Sequence, residues 1–222
     1  MGINRWHVGI SCMTALAAGI VPPSAWADGQ VLLGGGAGIT VNGTACTLTT
    51  IGHDNTGQLV GITAAHCGSS GSQVAAEGSG AVVGSVVAAD DALDYAVIKF
   101  DPAKVTPTAN FDGFVINGIG PDPRLRQPAC THGAASGDGC GHIAVQTLRP
   151  GVVGAGMPSW RPGDDGEPVT VDGQLVGATL KGFSMVDGIT LAQSTHINFA
   201  LISAIINDAN AKGGVGAGFS PV

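Results

Sequence analysis

The feature that most constrains this chain is its punctuation. Short runs rich in Val, Ile, Thr and Ala are cut by Gly, Asn, Asp or Pro at intervals of roughly 8–12 residues, the pattern of an all-β sandwich or barrel. Runs this short suit strands and leave little room for helices. The expected strands cover 39–41, 44–51, 58–63, 73–77, 81–89 and 95–100, then 128–133, 141–148, 152–157, 169–171, 174–181 and 191–198. Asn42-Gly43 gives the first pair a type I′ hairpin signal, and Gly84 marks a possible bulge. Pro102, Pro107 and the turn-rich stretch 117–128 separate two halves of similar character, about 31–115 and 125–200. Gly34-Gly35-Gly36 reads as a flexible entry. Leu201, Ile202, Ile205 and Ile206 form one apolar face of a helix over 199–210, with Asn198 as its N-cap. The Gly-rich tail 212–222 is expected to fray. The chain shows no heptads, no repeat and no second domain of separate composition.

At 222 residues the chain is long enough to bury a core without a structural metal. Its 37 glycines and 5% aromatics fit strands joined by tight turns. The N-terminus reads as a signal peptide, 1–27. Arg5 supplies the positive charge, 8–20 the apolar core, and Ala25-Trp26-Ala27 the small-residue cleavage pattern. The apolar run is shorter than the roughly 20 residues a membrane span needs, and Pro22-Pro23 ends it. The mature protein would therefore begin at Asp28, carry no membrane span, and be secreted or held in the cell envelope. Loss of Arg5 takes the net charge from -7 to -8. Such an acidic balance, with scattered Lys and Arg, argues against nucleic acid as a partner.

Cys12 leaves with the signal, so Cys46, Cys67, Cys130 and Cys140 remain. Export and an even count favour disulfides, and four cysteines allow three pairings. A metal site is the competing reading, but Cys-x-x-Cys and Cys/His ligand spacings are missing from the sequence.

Three stretches carry a chemical reading. In Thr63-Ala64-Ala65-His66-Cys67, a small apolar run ends in a histidine, the side chain whose ordinary pKa suits proton transfer near neutrality. In Leu93-Asp94-Tyr95-Ala96-Val97-Ile98, an aspartate opens an apolar strand. Its rivals Asp90 and Asp91 read as a solvated turn. Taken alone, a single histidine is more often structural than catalytic, and a single aspartate before a strand is more often a turn acid. The third stretch is Gly163-Asp164-Asp165-Gly166-Glu167-Pro168, followed by 174–179, a further strand.

Together these stretches resemble the chymotrypsin/trypsin-like serine peptidases. The segment around His66 is similar to the family's histidine motif, Asp94 to its orienting carboxylate, and 163–168 to its nucleophile motif Gly-Asp-Ser-Gly-Gly-Pro. The loop from Cys130 to Cys140 looks like the small disulfide loop of the bacterial secreted branch, streptogrisin and alpha-lytic types. The resemblance spans about 45–206. It implies a chymotrypsin-like double six-stranded β-barrel with a C-terminal helix, and the local pairings Cys46–Cys67 and Cys130–Cys140. It places a triad at His66, Asp94 and Asp165, an oxyanion hole at Gly163 and Asp165, and a specificity pocket at Ser159 and Thr179. It implies no cofactor and no metal.

One departure is decisive for function. Asp165 stands where the nucleophilic serine belongs, and Glu167 replaces a glycine. A carboxylate beside His66 makes a poor attacker of a peptide bond, because its acyl adduct would be a labile anhydride. Its charge would also repel the tetrahedral anion that the oxyanion hole should stabilise. His66 between Asp94 and Asp165 is expected to hold its proton. Rescue by Ser159, Ser184 or Ser194, and a metal held by Asp94, His66 and Asp165, are weaker readings. The expected protein is a catalytically inactive, monomeric homologue that binds a peptide or protein segment or acts as a regulatory module. The alternatives are an active endopeptidase with an atypical nucleophile and a structural envelope protein.

Overall fold

The computed structural model describes Met1 and residues 29–157, 160–180 and 196–222, with the backbone alone at 185–186, 189–190 and 196. The expected signal peptide, Ser159, Ser184 and Ser194 lie outside the described residues.

The second half closes into a six-stranded barrel. Its strands run Pro128–Gly133, Gly137–Arg149, Val152–Gly156, His196–Leu201, Gln174–Thr179 and Pro168–Val171, the last pairing back to the first. The first half curls into a half-barrel whose ends meet at one bent segment, 44–53. It is a curled eight-stranded sheet in the order Ser220–Pro221, Thr50–His53, Leu59–Thr63, Tyr95–Phe100, Val82–Asp90, Gln73–Ala76, Gly38–Val41 and Thr44–Thr47. The expected strand 44–51 is broken in two at Leu48 and Thr49. The reason lies in the other half. The Thr47 N–H donates to Asp165 O at 2.9 Å, and the Thr49 hydroxyl donates to Gly166 O. Leu48 still bonds to Gly36 and Ala37, and the Thr49 N–H to Ile62 O, so the segment joins its own half while it docks the loop.

Strand faces explain the cores. Along Tyr95–Phe100, Ala96, Ile98 and Phe100 point into the first half, with Ile39, Leu48 and Val74. Tyr95 and Val97 point the other way, into a layer between the halves that holds Val60, Ile62, Leu175, Ile202 and Ile205. The strand is apolar on both faces because both faces are covered. A third cluster, including Ile143, Val153, Val169 and Phe199, fills the closed barrel.

Two disulfides pair Cys46 with Cys67 and Cys130 with Cys140. The second spans directly opposed strand residues.

Three local expectations change. Gly34–Gly36 is packed rather than flexible: a Cβ on Gly35 would lie 2.3 Å from Ile116, and one on Gly36, at φ +95°, 2.3 Å from the His132 ring. The helix spans Ile202–Lys212, and Asn198 does not cap it. Asn198 pairs with Gly154 inside the strand His196–Leu201, so the barrel claims three more residues than the apolar pattern suggested. Finally, the tail does not fray. Ser220 and Pro221 pair with His53 and Gly52 as an edge strand, and Phe219 is buried in the layer between the halves.

Phe219→Ala should therefore lower unfolding stability by about 3 kcal/mol in urea titrations. A change within about 0.5 kcal/mol would mean that the tail contributes no packing.

Candidate functional site

The strand Leu59–Thr63 delivers His66 through Ala64 into one 3₁₀ turn, Ala65–Cys67. Cys67 is tied to Cys46, and the Thr63 hydroxyl donates to Thr47 O at 2.8 Å. The ring therefore stands on a covalently pinned turn.

Asp94 reaches it from the turn between Val82–Asp90 and Tyr95–Phe100. It sits at φ +51°, in the left-handed region that Asp tolerates better than most residues. Its Oδ1 accepts the His66 backbone N–H at 3.0 Å, and its two oxygens lie 2.9 and 2.8 Å from Nδ1. One carboxylate thus fixes both the backbone and the ring of the histidine.

Asp165 faces the other ring nitrogen, with Oδ2 3.4 Å from Nε2. At that distance the contact is an ion pair and at most a long hydrogen bond. Burial of the ring opposes its charge, but Asp165 and Asp94 overcome that cost and push the His66 pKa up to about 9. The cluster is still in touch with solvent: the side chains of His66, Asp94 and Asp165 are 20%, 15% and 15% exposed.

The loop carrying Asp165 is threaded tightly against the first half. A Cβ on Gly166, at φ +86°, would lie 2.7 Å from Thr47 O and from the Thr63 hydroxyl, and 2.9 Å from Ala64 N. Only glycine fits there. The Thr47 hydroxyl donates to Gly163 O at 2.8 Å and accepts the Ala134 N–H at 3.0 Å. Gly163 itself stands at φ +106°. Thr47 and Thr49 were not singled out from the sequence. No motif marks them, and their role depends on a loop more than 110 residues away.

Two acids lie beneath the loop. Asp164 is fully buried; its Oδ1 accepts the amides of Ala135 and Ser136, and its Oδ2 that of Arg161. Glu167 is also fully buried, and neither carboxyl oxygen has a hydrogen-bond partner among the described residues. Burial, then the Asp164 and Asp165 carboxylates, raise its pKa well above the ordinary value of 4.5. Gly133 leaves room for both acids, since a Cβ there would lie 2.3 Å from Asp164 Oδ1 and 2.7 Å from Glu167 Oε2.

Thr179 packs beneath the loop. It is fully buried, with its N–H on Glu167 O and its hydroxyl on Asp164 O, and it braces the loop from below. The neighbouring Leu180 lines the cleft. That cleft has a volume of about 530 Å³ and is lined by His66 and Asp94, by the apolar Leu148, Val152 and Leu180, and by the charged Arg149 and Asp91. Asp90, read as part of a solvated turn, is instead paired with Lys212. Among the described residues no group of His, Cys, Asp and Glu side chains is arranged to hold a metal ion.

No protein-family model matches the chain, and no curated protein matches its sequence. Solved structures do resemble it. A protease from Nocardiopsis, NAPase, superposes with a TM-score of 0.65 at 21% identity, covering 81% of this chain and 97% of the other. Protease A of Thermobifida fusca gives 0.64 at 21%, covering 80% and 96%. The chymotrypsin of Cellulomonas bogoriensis gives 0.61 at 22%, covering 81% and 97%. At this identity the likeness is one of fold: the chain has the chymotrypsin-like fold of bacterial serine proteases.

Two outcomes follow from the charges. Asp165→Asn should lower the His66 titration midpoint from about 9 by about 1 or more, read by imidazole NMR. Stability should also fall as pH rises from about 5 to 9.5. Glu167 has its folded pKa above 4.5, so stability drops as pH climbs past that value. His66 contributes fully below 6.5 and loses that contribution as pH passes about 9. Urea midpoints across this range check both contributions, and Glu167→Gln should flatten the acidic part of the slope.

Proposed function

We propose that this chain is an exported homologue of the chymotrypsin-fold serine peptidases, without serine-type hydrolysis, whose cleft holds a peptide or protein segment. The observation that carries the reading is the carboxylate of Asp165, 3.4 Å from His66 Nε2. Acyl transfer in this fold needs a hydroxyl there, whose proton the imidazole accepts as the oxygen attacks the carbonyl. A carboxylate supplies no such proton. It also keeps the imidazole protonated up to about pH 9, so the base is already occupied at neutral pH. Its charge beside the Gly163–Asp165 backbone would oppose the anion of a tetrahedral intermediate.

The remaining features support binding. The cleft carries the apolar Leu148, Val152 and Leu180 beside charged groups, a lining suited to an extended peptide. Both disulfides, and the signal-like N-terminal segment, support a place outside the cytoplasm, in the envelope or the medium. The acidic net charge favours protein over nucleic acid as the ligand, and we take the acting form to be a monomer.

The test is hydrolysis of a fluorogenic peptide library by the protein beside Asp165→Ser, Asp165→Ser/Glu167→Gly and His66→Ala. The native protein should be silent, and the serine-restored forms should gain activity. Cleavage by the native protein that is lost in His66→Ala would overturn the reading. Saturable binding of library peptides to the native protein is expected; its absence would leave only a structural role for the fold.

A further inference from the structure

We propose that the last turn of the C-terminal helix is a positioning device for Asp94: Asp208 and Lys212 hold Asp90 and Tyr95, the residues that close the turn carrying Asp94, and so keep its carboxylate on the His66 ring.

The geometry is continuous. Asp90 and Tyr95 face each other as the last strand pair before the turn. The Tyr95 hydroxyl donates to Asp208 Oδ2 at 2.6 Å. The Lys212 ammonium lies 2.7 Å from the same Asp208 oxygen, reaches Asp90 Oδ2, and sits 5.5 Å above the Tyr95 ring. Asp90 passes the hold into the turn, because its Oδ1 accepts the Leu93 N–H at 2.7 Å. From the closed barrel, the Arg149 guanidinium donates to Ala92 O in the same turn. The turn is thus gripped at both ends by the helix and in its middle by the second half.

Such a grip has a reason. Asp94 adopts φ +51°, a conformation that persists where its surroundings over-determine it. Its two oxygens must also meet both the backbone N–H and Nδ1 of His66. A small rotation of the turn would keep one contact and lose the other. The Lys212 ion pairs are too exposed to matter much for global stability, since the Lys212 side chain is 46% exposed. Their effect is on the aim of one carboxylate. Lys212 and Asp208 are not among the residues lining the cleft, and their polar contacts run to Asp90 and Tyr95 at the ends of the Asp94 turn.

The sign of the response separates positioning from plain electrostatics. Removing the Lys212 cation would, by charge alone, favour the protonated imidazole and raise its midpoint. Loosening Asp94 does the opposite. The experiment is an imidazole NMR titration of His66, assigned with His66→Ala, in Lys212→Met, Lys212→Arg and Tyr95→Phe. Lys212→Met and Tyr95→Phe should each lower the midpoint from about 9 by about 0.5 or more and broaden the Nδ1 proton signal through faster exchange. Lys212→Arg should restore both. A midpoint unchanged or raised in Lys212→Met and Tyr95→Phe, with or without a fall in melting temperature, overturns the proposal. Tyr95→Phe alters no charge and removes a single oxygen, so it carries the test if Lys212→Met fails to fold. The readout needs no activity, so it is independent of whether the cleft cleaves or binds peptides.

Discussion

The structure depends on one seam, where the loop 163–166 lies against Thr47, Thr49, Thr63 and Ala64. The chain has two curled β halves, and each buries its own core. Neither half alone forms the site. His66 and Asp94 come from the first and Asp165 from the second. They meet because the hydroxyls of Thr47 and Thr49 and the Thr47 amide are satisfied by loop carbonyls at 163, 166 and 165. These groups are buried, and leaving a buried polar group unpaired costs roughly 1–3 kcal/mol.

At the seam the chemistry is that of fixed charge. His66 stands between two carboxylates, with a third acid, Glu167, buried below them, whose carboxyl has no hydrogen-bond partner among the described residues. Burial alone would remove the proton from the imidazole and keep one on the carboxyl. The neighbouring carboxylates outweigh burial at His66, because opposite charges attract. At Glu167 they add to burial, because like charges repel. Both groups therefore hold protons more tightly than usual, for opposite balances of the same two forces.

Much of the fold was legible from local pattern. The strands 95–100 and 128–133 were read with the bounds the structure shows, because apolar runs bounded by turn residues leave few alternatives. The misreadings share a physical origin. Asn198 looked like a helix cap, yet strand pairing with Gly154 holds it. The three glycines at 34–36 looked flexible, yet Ile116 and the His132 ring leave no room for any side chain at 35 and 36. The tail looked unanchored, yet an open sheet edge and an apolar layer take up Ser220, Pro221 and Phe219. In each case a partner distant in sequence decided, and local propensity is a weak prior against such partners.

By itself, the sequence determined the residue types available to the chemistry: a histidine followed by a cysteine, an aspartate opening an apolar run, and paired acids at 164 and 165. Those are covalent facts, and no folding changes them. Tertiary structure alone decided how the groups act on one another. That Asp165 sits 3.4 Å from Nε2, that Thr179 braces the loop and that Asp90 pairs with Lys212 are set by contacts between separate elements of the fold. Electrostatic and hydrogen-bond energies fall off over a few ångströms, and positions far apart in the chain acquire such distances only when both cores pack.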